Sequence, residues 1–452
     1  MLERNRDLVC FLIVLLLSSW HLDNALGDNT ASRAAMVAAI VQDGTLCIDP
    51  YEGLTNDKAL VNGHYYSEKA PLPALLVVPF YWTARAMGLM ADPAVGELPK
   101  GLVPLSGFIC GSLPFAWLVL LAYRRMCAKG SFPWPMTAAT VAFFGSFLFV
   151  YSGTFFGHLP AALFTVLAWL ARDRQRSMTS AACISAAVLC EYSLIVFPIV
   201  WLLQDAVRSR WSVVLRTCIG GLPGVLLLLV LNNAITGDPF TLPYARVAGY
   251  GEERGLFGII APSWHALIGL LWGPYRGMFW YAPLTVLAII ALVRGTRSIK
   301  HWMMHPLVVP SLLLFVMISA HTMWWGGWAF GPRHITVIAV LMLVAGLPKI
   351  PDAAWARWSF ALLGTLGLVL AIAAKNTVWG ALPSDIPEPL GTVLLPALRS
   401  GNWTEHQWPA MLGLAAGAAS FIFLLIFGLA LFLFERLDRG WTQSPDAPVP
   451  LP

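Results

Sequence analysis

The chain has 452 residues, of which 58% are hydrophobic and 12% are charged, and its formal net charge is +5. This is more apolar side chain than a soluble core of that length can bury, which excludes an ordinary soluble enzyme, and the small positive charge gives no indication of nucleic-acid binding. Runs of about twenty apolar residues recur along the sequence, so the composition predicts an all-α polytopic membrane protein.

Basic residues orient the predicted crossings, because Lys and Arg favour the cytoplasmic side of short loops. Seven basic clusters recur between apolar runs, and placing all of them inside requires about twelve helices with both chain ends cytoplasmic. Residues 1–26 are expected as a retained first helix rather than a cleaved signal peptide, because no small-residue cleavage site follows. The expected spans are about 8–24, 101–123, 135–153, 159–171, 179–190, 193–206, 213–234, 278–294, 305–321, 335–349, 358–374 and 410–434.

The apolar stretch 72–90 does not fit this count, since a crossing there would invert every later loop. It contains Pro73, Pro79 and Arg85, so we expect a kinked helix in the outer interface. The chain is then expected to have three parts. Residues 1–350 form a catalytic membrane domain with outer loop 25–100, residues 351–434 add helices around outer loop 375–409, and the Pro-rich segment 435–452 is a disordered cytoplasmic tail.

The first outer loop carries charges beside apolar surface. Asp28 and Arg33 stand at the start of a weakly amphipathic helix from Ala31 to Gln42, which is expected to end at Asp43-Gly44. A carboxylate just above the bilayer can act as a general base on an acceptor hydroxyl. The alternative is that Asp28 or its neighbour Asn29 only caps the helix.

The segment HYYSEKAPLP follows in the same loop. Lys69 precedes an apolar stretch, where it can be a snorkelling anchor or a phosphate ligand. His64 and Glu68 are four residues apart, so they share a metal ion only if the segment is helical. The seven cysteines show no spacing typical of disulfides or metal sites, and six of them lie in or next to apolar runs.

Later outer pieces add further candidates. His158 closes one helical hairpin, and Glu191 lies at the tip of another, where an acid at membrane depth is a functional candidate. The segment 321–334 combines Trp and Gly residues and ends in Arg333-His334; its aromatic rings can stack on a sugar and its guanidinium can bind phosphate, although an aromatic belt at the membrane edge is an equal alternative. The candidate substrate-binding residues are Arg33, His64, Tyr66, Glu68, Lys69, His158, Arg276, Trp324, Trp325, Trp328 and Arg333.

Asp28 to Arg33, followed by YYSEKAPLP, resembles the first outer loop of the GT-C superfamily of polyprenyl-phosphate-dependent glycosyltransferases, which includes protein O-mannosyltransferases and lipid A aminoarabinose transferases. The segments GDPFTLPY, GPYRGMFWYAP and WWGGWAFGPRH also look like bacterial members of that group. The resemblance implies that Asp28 activates the acceptor and that Lys69 contacts the donor phosphate. Asn29 replaces the second acid of the family's pair, Ala70 replaces a proline, and Gly157-His158 stands where many relatives have an acid, which leaves the base and any divalent metal open.

These features predict an inverting transfer of a hexosyl or pentosyl group from a polyprenyl-phosphate-linked sugar to a lipid, glycan or protein acceptor. Asp28 would be the catalytic base, and the active face would lie outside a bacterial inner membrane. The alternative is a transporter or lipid flippase, which requires polar residues deep within several crossings. A polysaccharide polymerase or ligase would need a large basic late loop, whereas 375–409 has only Lys375 and Arg399.

Overall fold

The computed structural model describes residues 5–91, 93–94, 96–129, 132–248, 257–294, 298–379 and 381–442. Its first α-helices, α1 to α10 in chain order, are Arg6–Ser18, Asp28–Ala38, Leu72–Ala86, Leu102–Gly107, Leu113–Lys129, Pro135–Phe144, Phe147–Val150, His158–Asp173, Ser177–Cys190 and Val196–Val207. Helices α11 to α21 are Trp211–Thr236, Trp264–Leu271, Met278–Tyr281, Leu284–Arg294, Ile299–Met304, Val308–Ser319, Thr336–Gly346, Ala354–Asn376, Leu395–Ser400, Trp408–Met411 and Ala416–Thr442.

Two short strands interrupt this otherwise helical architecture. Strand β1, Lys58–Val61, pairs antiparallel with β2, His64–Ser67. The turn between them is Asn62-Gly63, and both residues have positive φ, 50° and 84°. Asn-Gly with both φ angles positive is the favoured two-residue turn of a right-twisted hairpin.

The described residues confirm the all-α membrane fold class. Within the described ranges, four helices are long and apolar enough to cross a membrane: Leu102–Ala128, Trp211–Thr236, Ala354–Asn376 and Ala416–Arg439. The pair Pro135–Phe144 and Phe147–Gly153, bent by 69°, makes up to five. Shorter apolar helices lie at most of the remaining expected spans, and the total of about twelve crossings stays a prediction.

Helix ends that were expected to be cytoplasmic meet one another. Arg124 at the end of α5 pairs with Asp7 at the start of α1 at 2.5 Å. Arg172 in α8 pairs with Asp205 in α10 at 2.8 Å. The carboxylate of Asp438 in α21 accepts hydrogen bonds from the backbone nitrogen atoms at the start of α6. Three pairs of helix ends that were expected on the same side of the membrane are therefore in contact.

One detail of the predicted layout changes, at the end of the described chain. Residues 435–442 belong to α21, so the helix extends into the expected tail, whose remaining residues 443–452 lie outside the described ranges. The stretch 72–90 is helical over Leu72–Ala86 with Pro79 inside, as expected for a kinked helix. Helix α3 buries Val77 and Tyr81 and exposes Phe80 and Trp82 by 53% and 63%, which fits a helix lying on an apolar surface.

Candidate active site

Asp28 is the first residue of α2, and its side chain does not cap that helix. Gly27 occupies the cap position, and Asp28 Oδ1 instead accepts from the backbone nitrogen of Asn56 at 2.9 Å. The hydroxyl of Thr55 donates to the backbone oxygen of Asp28 at 2.8 Å. The carboxylate is half-buried. The capping interpretation is thus wrong, and one carboxylate oxygen is oriented by the segment that leads into β1.

Arg33 lies one turn further along α2 and is almost fully buried. Its guanidinium donates to the side-chain oxygen of Asn29, while its Nε has no hydrogen-bond partner among the described residues. Burial lowers the pKa of Arg33, and the carboxylate of Glu191 is the charge that opposes this most. The α2 helix therefore directs a cation toward the hairpin tip where Glu191 lies.

The β-hairpin delivers the Glu68-Lys69 pair to the same region. Lys69 Nζ lies 2.7 Å from Asp57 Oδ2 and 2.6 Å from Glu68 Oε1. Asp57 directly precedes β1 and Glu68 directly follows β2, so the strand pairing brings the two carboxylates around one ammonium group. The hydroxyls of Ser32 and Ser67 are 2.8 Å apart and connect α2 to this end of the hairpin. Lys69 is thus doubly ion-paired.

His158 and Glu191 form an ion pair between two helical hairpins. His158 Nδ1 lies 3.0 Å from Glu191 Oε1, and His158 Nε2 is buried without a partner in the described part of the chain. Burial raises the pKa of Glu191, but His158, Arg33 and Arg333 together outweigh it and lower the pKa below the ordinary carboxyl value. Glu191 therefore places a carboxylate directly beside His158.

Arg333 completes the cluster from the late loop. Its guanidinium lies over the ring of Phe156 at 5.1 Å, and it makes no hydrogen bond or ion pair with the residues described, Nε being buried without a partner. The ring of His334 is 6.0 Å from that of His158. Burial, followed by the charge of Arg333, holds the pKa of His334 well below its ordinary range, with Lys69 also contributing. His334 is therefore a neutral imidazole at neutral pH.

Several predicted site residues lie elsewhere. His64 and Glu68 are at opposite ends of a strand, roughly 13 Å apart at 3.3 Å per residue, so the shared-metal hypothesis is wrong. Tyr66 pairs with Ala59 in the hairpin. Arg276 is fully buried, and its guanidinium donates to five backbone oxygens.

The three tryptophans also separate. Trp324 is buried, where its ring packs against those of His265 and Tyr275. Trp325 is half-buried beside Trp324, and Trp328 is 64% exposed. Trp324 is therefore a core residue, and only its two neighbours present ring surface.

Sequence reasoning missed Asp57 and His334. Asp57 carried no motif of its own, but the Asn62-Gly63 dipeptide between alternating segments is a hairpin signal that places residues 57 and 68 side by side. His334 follows Arg333 directly, and no spacing within 321–334 singles it out. Its proximity to His158 arises only from packing.

Comparison with known proteins adds the following. No protein-family model matches the chain, and no curated protein matches it. Among solved structures it is similar to ArnT from Cupriavidus metallidurans bound to undecaprenyl phosphate, with 15% identity and a TM-score of 0.46 over 97% of this chain and 77% of that one. It is also similar to the Archaeoglobus fulgidus oligosaccharyltransferase tethered to an acceptor peptide, with 12% identity and a TM-score of 0.46 over 98% of this chain and 56% of that one. Both similarities are remote, and the assignment of function rests on this chain's own side chains.

Proposed function

We propose that this chain is a membrane glycosyltransferase that moves a sugar from a polyprenyl-phosphate donor to a hydroxyl or amine of a lipid, glycan or protein acceptor. The observation that carries the proposal is that first-loop charges converge with Arg333, a cation from far along the sequence that has no hydrogen bond or ion pair to the part of the chain the structure describes. Arg33 and Arg333 both act on Glu191, and Lys69 and Arg333 both act on His334. A buried guanidinium nitrogen without a partner is costly unless an anion completes the site.

Asp28 is assigned the base role in this proposal. Oδ1 is held by Asn56, while Oδ2 accepts no hydrogen bond among the described residues. Asn56 donates hydrogen bonds to the carboxylate of Asp28, and the next residue, Asp57, is paired with Lys69. This short path connects the base to the cationic part of the site.

The transfer is a single displacement. The acceptor oxygen or nitrogen forms a bond to the anomeric carbon as the bond from that carbon to the phosphate oxygen breaks, and attack from the opposite face inverts the anomeric centre. The acceptor proton passes to Asp28, and the bonding electron pair leaves with the phosphate. The leaving phosphate gains charge, which the guanidinium of Arg333 stabilises in a water-poor site.

The test is to offer purified protein a panel of polyprenyl-phosphate sugars with acceptors and to measure release of free polyprenyl phosphate. The parent protein is expected to consume at least one donor, and Asp28→Asn should lower turnover by about 100-fold or more. Asp43→Asn, at the exposed far end of the same helical segment, is the matched control and should retain activity. Near-normal turnover of Asp28→Asn removes Asp28 from the mechanism, whereas no consumption of any donor contradicts the proposed function.

A further inference from the structure

The turn end of the β-hairpin carries three different metal-binding side chains outside the proposed active site. Cys47, Asp49 and His64 offer donor atoms that all lie within 4.8 Å of one another. His64 Nδ1 is 2.7 Å from Asp49 Oδ2 and 3.9 Å from Cys47 Sγ. The side chains of His64 and Asp49 are 60% and 39% exposed, so an ion can reach them from solvent.

Backbone hydrogen bonds hold the three side chains in this arrangement. The backbone nitrogen of Ile48 donates to the Tyr65 oxygen at 2.8 Å, and Cys47 forms an isolated bridge with Tyr66. The backbone nitrogen of Tyr65 donates to Asp49 Oδ1 at 2.6 Å, which fixes the orientation of the carboxylate and leaves Oδ2 toward His64. Residues 47–49 therefore lie beside β2 as a short third extended segment. Such outer hydrogen bonds are what orient ligands in metal sites.

The donor set selects the class of metal. A thiolate and an imidazole favour zinc over magnesium or calcium, which prefer oxygen donors. Zinc bonds of about 2.3 Å to sulfur and 2.0–2.1 Å to nitrogen or oxygen give separations of roughly 3.3–3.6 Å between ligands in a tetrahedron. The observed 2.7 Å and 3.9 Å lie on either side of these values, so side-chain movements below 1 Å suffice.

We propose that Cys47, Asp49 and His64 bind a zinc ion, with solvent in the fourth position. Binding replaces the thiol proton of Cys47 with the metal and requires a neutral His64. The bound ion ties residues 47–49 to β2 at the turn end of the hairpin, opposite the end that carries Asp57 and Lys69. This site is independent of the proposed sugar transfer.

Cobalt provides the direct test, because a Co²⁺–thiolate bond gives a charge-transfer band in the near ultraviolet. Full-length protein in detergent, freed of metal by a chelator and kept reduced, is titrated with Co²⁺ and then with Zn²⁺. One equivalent of Co²⁺ should produce the band, and Zn²⁺ should displace it. Cys47→Ser should abolish the band, whereas Cys218→Ser, at an exposed thiol in α11, should leave it intact.

Zinc affinity provides a second measurement by competition with a chromophoric chelator. His64→Ala changes an exposed side chain and should fold normally, yet it should weaken zinc binding by about 100-fold or more, since loss of outer-shell partners alone costs 10–100-fold. A band that persists in Cys47→Ser, the absence of a band in the parent protein, or unchanged zinc affinity in His64→Ala overturns the proposal. In those cases Asp49 and His64 form only an ion pair that orders the turn.

Discussion

Three cations that the sequence offered as substrate-binding residues are held in different ways. Lys69 is paired with Asp57 and Glu68, and Arg276 donates to five backbone oxygens. Arg333 alone of these three has a guanidinium without a hydrogen bond or ion pair to the described residues. Because a positive charge already neutralised by protein carboxylates attracts an anion weakly, Arg333 is the strongest candidate for the donor phosphate.

Replacement of Arg333 should therefore affect donor binding without loss of stability. Arg333→Ala removes a charge-assisted contact worth about 1.5–3 kcal/mol, so the KM for the lipid donor should rise about tenfold to a hundredfold while the thermal midpoint stays nearly unchanged. Arg246→Ala, at an exposed outer cation, is the control. Lys69→Ala should instead lower the thermal midpoint, since it removes a cation that pairs with Glu68, which is 1% exposed. Equal donor KM in Arg333→Ala and the parent would contradict the assignment.

The ion pair of His158 with Glu191 makes a prediction about pH. Burial raises the pKa of Glu191, but His158 is the largest of the influences that together lower it. The charged carboxylate and its contribution to stability therefore persist above the unfolded-state pKa and are lost as pH falls through the lowered value. His158→Phe removes the largest influence that lowers this pKa, so the pKa of Glu191 should be higher in the variant than in the parent. The acid limb of the activity profile should then move to higher pH.

The measurement is turnover against pH for the parent and for His158→Phe, with Glu191→Gln as the reference that has no carboxylate to titrate. An acid limb at the same pH in His158→Phe would show that Glu191 does not set it. His334 should remain neutral across this range, because its pKa is held well below the ordinary imidazole value.

At the scale of elements, the close approach between the start of α8 and the end of α9 requires a glycine at position 157. A Cβ on Gly157 would lie 2.4 Å from the backbone oxygen of Cys190 and 2.7 Å from Glu191 Oε1. Gly157→Ala should therefore push Glu191 away from His158 and destabilise the protein by about 1–3 kcal/mol. The midpoint of thermal unfolding and the turnover rate should both fall. Gly53→Ala, where a Cβ meets nothing within 4 Å, should change neither. A Gly157→Ala variant with parental stability and activity would contradict this close contact.

Local signals in the sequence predicted individual elements well. The helix expected over 31–42 begins three residues earlier at Asp28, and its stop at Asp43-Gly44 is confirmed by the positive φ of 66° at Gly44. The hairpin is not among the elements expected from the sequence, although Asn62-Gly63 marks its turn, because His64 and Glu68 are considered there only as residues of a possible helix. Charges at the ends of segments can be interpreted by local rules. A two-stranded hairpin inside a long loop, in contrast, is recognised only from its turn.

At the scale of the whole molecule, the site could be predicted only in part. The first-loop residues Asp28, Arg33 and Lys69 lie within one segment of the sequence, and their proximity follows from one helix and one hairpin. The pairing of His158 with Glu191, and the approach of Arg333 to both, depends on how helices far apart in sequence pack. No spacing in the sequence encodes that packing. The sequence alone therefore does not distinguish Arg276 from Arg333, whereas their surroundings in the structure do.

Arg276 joins the two late outer segments of the molecule. Its guanidinium donates to the oxygens of Trp325 and Gly327 in the Trp-rich loop at 3.3 Å and 3.1 Å, and to those of Leu382 and Pro383 in the last outer loop at 3.1 Å and 3.2 Å. Arg276→Met fills similar volume but leaves these oxygens unsatisfied, which should cost about 3–5 kcal/mol of folding free energy.

The Trp-rich loop leads directly into Arg333. Release of this loop in Arg276→Met should therefore also weaken donor binding. Limited proteolysis should show faster cleavage within 321–334 in that variant, together with a lower thermal midpoint. Arg399→Met removes an exposed arginine from the same late outer loop and should leave both measurements at parental values. Unchanged proteolysis in Arg276→Met would mean that other contacts hold the loop. A raised donor KM without a fall in stability would indicate instead that Arg276 binds the phosphate.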